Sequence, residues 1–153
     1  MKIRDSGVRS GQGLLVRPTG GGKSSVRDVH AIMDGGVSLT ITPLLSLGSD
    51  QEEKLWSRPN ASAGDILPIH LDEIRSPLEQ QHIIEGIKDL PSDSHTTVFL
   101  FSSPQALVKN NSCWLPLIHW LIDHRRLSIV CVDEVHLFVH FCLPFRKDFP
   151  QLT

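Results

Sequence analysis

The 153 residues predict an α/β fold, a mainly parallel sheet with helices on both faces. Three observations carry that prediction. Short apolar runs alternate with segments of helical patterning. A glycine-rich loop, Thr19-Gly20-Gly21-Gly22-Lys23-Ser24, joins the first apolar run to the first helical segment. A later apolar run, Ile129 to Val132, ends in two acids, Asp133 and Glu134.

Taken in order, residues 1–12 are polar and rich in Gly and Ser, and read as a loose tail. Residues 13–153 read as one domain, long enough to bury a proper core. The expected strands are Leu14–Arg17, Val37–Thr42, Ile66–Leu71, Thr97–Ser102 and Ser128–Val132. The expected helices are Lys23–Met33, Leu44–Trp56, Pro77–Leu90 and Leu115–Arg125. Gly35-Gly36 stops the first helix and Pro91 closes the third. Pro68 cannot donate a ladder bond, so the third strand does not suit the centre of a sheet. Strand–helix alternation of this kind gives right-handed crossovers, with ligands bound beyond the carboxyl ends of the strands. Thr19–Ser24 and Asp133 both fall there.

The glycine-rich loop has the chemistry of a phosphate cradle. Glycines let the backbone turn tightly so that successive N–H groups point at phosphate oxygens, and the following helix adds its positive end. Lys23 would reach the terminal phosphates of ATP, and the Ser24 hydroxyl would ligate Mg²⁺. The eight-residue P-loop pattern places a Gly where this chain has Arg17; the core from Thr19 to Ser24 matches. Asp133 would hold Mg²⁺ through its water shell, and Glu134 would polarise the attacking water. The bland reading of an Asp-Glu pair is a solvated strand end; the P-loop upstream gives it its weight.

Composition excludes several classes. A net charge of −2 gives no global basic field. Three cysteines without a C-x-x-C pair form neither a disulfide framework nor a zinc site. No apolar run approaches membrane-spanning length, and the first residues lack a signal-peptide core. A reduced intracellular compartment is the expectation, not secretion.

Further motifs resemble one family. Asp133-Glu-Val-His136, with the P-loop before it, looks like the superfamily 2 DEAD/DEAH-box helicases, and within them the RecQ-like DNA helicases. Thr42-Pro-Leu-Leu-Ser-Leu47 followed by Asp50-Gln51 resembles that family's motif Ia. Ser103-Pro-Gln-Ala-Leu107 resembles its T-P-E-x-L segment. Beyond His136 the chain resembles the family's aromatic-rich loop, with Phe141 where Trp is usual, then Phe145-Arg146, Asp148 and Phe149. The resemblance runs from about Leu14 to Leu152.

It implies a three-layer RecA-like P-loop NTPase domain, the first of two in an ATP-dependent 3′-to-5′ DNA helicase, with repair or recombination in the nucleus or another intracellular compartment. By the resemblance, Thr19, Gly20, Gly21, Gly22, Lys23 and Ser24 hold ATP, Ser24 and Asp133 hold Mg²⁺, and Glu134 is the catalytic base. His136 couples the ATP state to the DNA side. Pro43, Leu44, Ser46, Phe141, Phe145 and Arg146 meet DNA, single-stranded or forked. Aromatic faces stack on unpaired bases, and a helix start offers N–H groups to phosphates. The chain departs from the family in lacking a Gln motif about twenty residues before the P-loop, and it stops soon after Glu134. One half of a helicase motor is therefore expected, the second RecA-like domain being absent and turnover of the piece alone weak. Two other readings stay open: a different P-loop DNA translocase, and a non-catalytic nucleotide- or DNA-binding remnant.

Overall fold

A computed structural model describes residue 15 and residues 21–43, 45–62, 64–74, 76–91 and 94–134. The elements are α1 (Lys23–Asp34), β1 (Gly36–Ile41), α2 (Leu45–Trp56), α3 (Pro59–Ser62) and β2 (Ile66–His70). They continue with α4 (Pro77–Asp89), β3 (Thr97–Ser102), α5 (Pro104–Val108), α6 (Trp114–Asp123) and β4 (Leu127–Val132). The four strands form one sheet in the order β2-β3-β1-β4, and every neighbouring pair is parallel.

Alternation along the central strands builds two cores. Val37, Leu39 and Ile41 of β1 and Val98 and Leu100 of β3 pack on one side with Ile87, Trp114, Leu117 and Leu121. Phe99 and Phe101 turn to the other side and meet Ala31, Leu55, Ala61 and Ile66. Both faces of β1 and β3 are thus covered, as parallel strands require. Each fully buried Leu or Phe contributes about 1.5–3 kcal/mol. The result is three layers, with α1, α2 and α3 on one face and α4, α5 and α6 on the other.

Local chemistry explains the boundaries. Gly35 closes α1 with its N–H on the Ala31 carbonyl at 2.9 Å. Gly36 follows at φ +77°, where a Cβ would lie 2.8 Å from the Arg126 carbonyl oxygen, so two constraints demand glycine there. Ser103 caps α5 by accepting the Ala106 N–H at 3.2 Å. Pro68 is accommodated because β2 lies at the edge of the described sheet and pairs only with β3.

The expected helices and the strands from Val37 onward form, with ends displaced by one or two residues. The short helices α3 and α5 were not expected; neither spans enough residues to show a periodic apolar pattern. Of the expected strand Leu14–Arg17 only Leu15 is described, and it lies outside any strand and 45% exposed. Among the described residues no helix is long and apolar enough to cross a membrane.

Candidate functional site

Parallel strands deliver their carboxyl ends to one edge of the sheet, and the candidate residues Asp133 and Pro43 lie at that edge. The Asp133 N–H donates to the Ile41 carbonyl at 2.9 Å, which sets the end of β4 beside the end of β1. The Thr42 N–H likewise donates to Ser102 O at 2.9 Å, joining the ends of β1 and β3.

The chain enters α1 through Gly22, whose φ of +76° is left-handed. A Cβ at Gly22 would touch nothing within 4 Å, so the dihedral angle, not space, selects glycine. Gly22 brings no capping side chain and the first turn of α1 holds no acid. A helix start of this kind carries partial positive charge, which favours an anion. Lys23 is half-buried at the first helical position and Ser24 is exposed at the second. Thr19 and Gly20 lie outside the described residues.

Asp133 is fixed at both carboxylate oxygens. Oδ1 accepts the N–H of Glu134 at 2.9 Å, and Oδ2 accepts Nε2–H of Gln51 at 2.8 Å. Glu134 is held at φ +51°, a left-handed geometry that costs a residue with a Cβ roughly 1–2 kcal/mol. Behind Asp133 runs a buried polar chain. Arg27 donates through a terminal guanidinium nitrogen to Gln51 Oε1 at 2.5 Å, and through Nε to Asp28 Oδ1 at 2.9 Å. Arg58 closes on Asp28 Oδ2 at 2.7 Å. The Arg27 guanidinium also lies 5.3 Å from the centre of the Phe101 ring. Burial pushes the neighbouring Cys131 thiol above its ordinary range; Arg27 opposes this, while Asp133 and Asp28 add to it.

Pro43 is buried just beyond β1, and Ser46 is exposed in the first turn of α2. Leu44 lies outside the described residues, as do His136, Phe141, Phe145 and Arg146. The segment after β3 is anchored by Asp72, which accepts the Ser103 N–H at 2.8 Å and also its hydroxyl. Arg27, Asp28 and Arg58 were not among the expected site residues. Gln51 had only its place in the motif. A signal for it exists: Leu47, Gln51 and Leu55 repeat at a spacing of four, which sets an amide in the inward stripe of α2.

Two features lie elsewhere. Glu52, His70 and Glu73 bring one potential ligand atom each within 4.8 Å of one another on the flank of α2 and β2. A cavity of about 350 Å³ opens at the opposite, amino-terminal end of the strands, beside Gly36, Thr96, Arg125 and Arg126.

No family model matches the chain. Curated proteins do. It is 27% identical over 139 residues to the mouse ATP-dependent DNA helicase Q5, covering 91% of this chain and 13% of that protein. It is 28% identical over 151 residues to the ATP-dependent DNA helicase RecQ of Pasteurella multocida, covering 99% of this chain and 21% of that one. The probable ATP-dependent DNA helicase RecS of Bacillus subtilis is 30% identical over 139 residues, covering 91% and 24%. The chain thus spans less than a quarter of the length of these relatives.

Proposed function

Because the chain is homologous over 91–99% of its length to a part of RecQ-family DNA helicases, we propose that it is the ATP-binding portion of such an enzyme. Residues 13–153 then form the first RecA-like domain, with 1–12 as a tail. The phosphates of ATP lie against Thr19–Ser24, with Lys23 offering its ammonium group. Ser24 and Asp133 supply hard oxygen donors of the kind Mg²⁺ prefers. Bound there, Mg²⁺ would neutralise charge on the phosphate oxygens. Glu134 accepts the proton of the attacking water. His136 links this edge to the nucleic-acid side. Pro43, Leu44 and Ser46 meet the DNA backbone, and Phe141, Phe145 and Arg146 meet unpaired bases.

The observation that carries this reading is the hydrogen-bonded run from Arg27 through Gln51, both buried, to the half-buried Asp133. It joins the helix that follows the glycine-rich loop to the acid that would hold the metal. Helix α1 and the end of β4, about a hundred residues apart in sequence, are thereby linked, which supports the proposed nucleotide site.

Calorimetry tests the reading. The chain is expected to bind ATP in the presence of Mg²⁺, and Lys23→Ala is expected to abolish that binding while the thermal melt stays close to wild type. Equal affinity in wild type and Lys23→Ala would overturn the assignment.

A further inference from the structure

We infer that Gln51 is the positioning residue for Asp133: it sets the orientation of the metal-holding carboxylate and fastens it to helices α1 and α2. This rests on the nucleotide-site reading of Asp133 and adds a residue to which that reading gives no role.

Gln51 is only 6% exposed, in a helix stripe otherwise made of Leu47 and Leu55. A buried amide without partners costs roughly 1–3 kcal/mol, so an apolar residue would be the easier choice for stability alone. Gln51 is instead satisfied at both ends, and the partners differ in kind. Arg27 can only donate, so it takes the carbonyl oxygen; the Asp133 carboxylate can only accept, so it takes the NH₂. The amide orientation is therefore forced by chemistry. Among side chains of this length, glutamate would set a second negative charge against Asp133, and methionine would bond neither partner. Glutamine matches a cation on one side and a carboxylate on the other.

The consequence for Asp133 is geometric. The Glu134 N–H holds Oδ1 from within the same turn, a local bond that moves with the loop. Gln51 holds Oδ2 from a different element, 82 residues away in sequence. Together they fix the plane of the carboxylate, and each oxygen retains a lone pair for a cation or its water shell. Loss of such an outer partner costs metal sites about 10–100-fold in affinity.

The test follows ATP affinity of the 153-residue chain by calorimetry across a Mg²⁺ series. Gln51→Met is expected to raise the half-maximal Mg²⁺ concentration about tenfold, with affinity in EDTA unchanged. Gln51→Asn keeps a buried amide but is one methylene too short to span both partners. It should move the Mg²⁺ requirement in the same direction with a thermal melt nearer wild type. In an Asp133→Ala background Gln51→Met should add nothing to the Mg²⁺ requirement, since the partner is already gone. A folded Gln51→Met or Gln51→Asn chain with the wild-type Mg²⁺ profile would show that Gln51 serves the core alone and overturn the inference. So would an effect that persists undiminished in the Asp133→Ala background. If wild type binds Mg-ATP through Lys23, such a result leaves the nucleotide reading intact. If Lys23→Ala changes nothing, that reading falls and this inference with it.

Discussion

At the scale of single residues, ionisable groups on the flank of α2 make a prediction that does not depend on function. Glu52 has its carboxyl held above the usual carboxylate range, chiefly by burial. Glu73 adds to the shift, while the Trp56 indole N–H and His70 oppose it. A raised folded-state value means that the folded chain holds the proton more tightly than the unfolded chain does. Stability from this group is present below the unfolded carboxylate range and is lost as pH rises through the folded value. Glu52→Gln should therefore be more stable than wild type at pH 7, and the advantage should vanish at acidic pH, where Glu52 is protonated in both states. Urea unfolding of both chains at three pH values measures this; an advantage independent of pH would assign the effect to another cause.

At the scale of elements, α1 carries the least expected arrangement. Val26, Val29 and Met33 recur at helical spacing, and a helical wheel would turn them to the core. Instead Val29 is 56% and Met33 80% exposed, while Arg27, Asp28 and Ala31 are buried. The cause is a set of partners that the wheel does not include: Gln51 on α2 and Arg58 just beyond it satisfy the charged side. Asp28 takes bonds from two arginines, so Asp28→Ala leaves buried guanidinium charge without its counter-ion. A loss of roughly 3–5 kcal/mol is expected from chemical denaturation. Met33→Lys should stay within about 0.5 kcal/mol of wild type. The opposite ranking would show that the apolar side of α1 is the buried one. The strand that ends at Asp133 was legible, because an apolar run closed by acids is a local signal. The polar chain behind it was not, because its members come from three separate segments.

At the scale of the whole molecule, the proposed helicase reading sets a limit on turnover. In related NTPases an arginine finger is worth roughly 10³–10⁵ in rate, and by the resemblance a second RecA-like domain supplies it. Assayed as 153 residues, with any such domain left out, the chain should bind Mg-ATP yet release phosphate barely above background and unwind no duplex. Phosphate-release kinetics with and without single-stranded DNA check this. DNA-stimulated turnover above about 1 s⁻¹ by the pure chain would mean that the charge-stabilising group lies within it.

By itself the sequence determined the parallel α/β class, the four long helices and the strands from Val37 onward. Those follow from periodicity, glycine punctuation and strand-end acids, all of which act within a few residues of chain. Tertiary structure alone decided that α1 buries Arg27 and Asp28, and that Gln51 spans Arg27 and Asp133. A buried polar group is stabilised only when a partner of complementary chemistry arrives from elsewhere in the fold. Its place is set by long-range packing, to which a local pattern is blind.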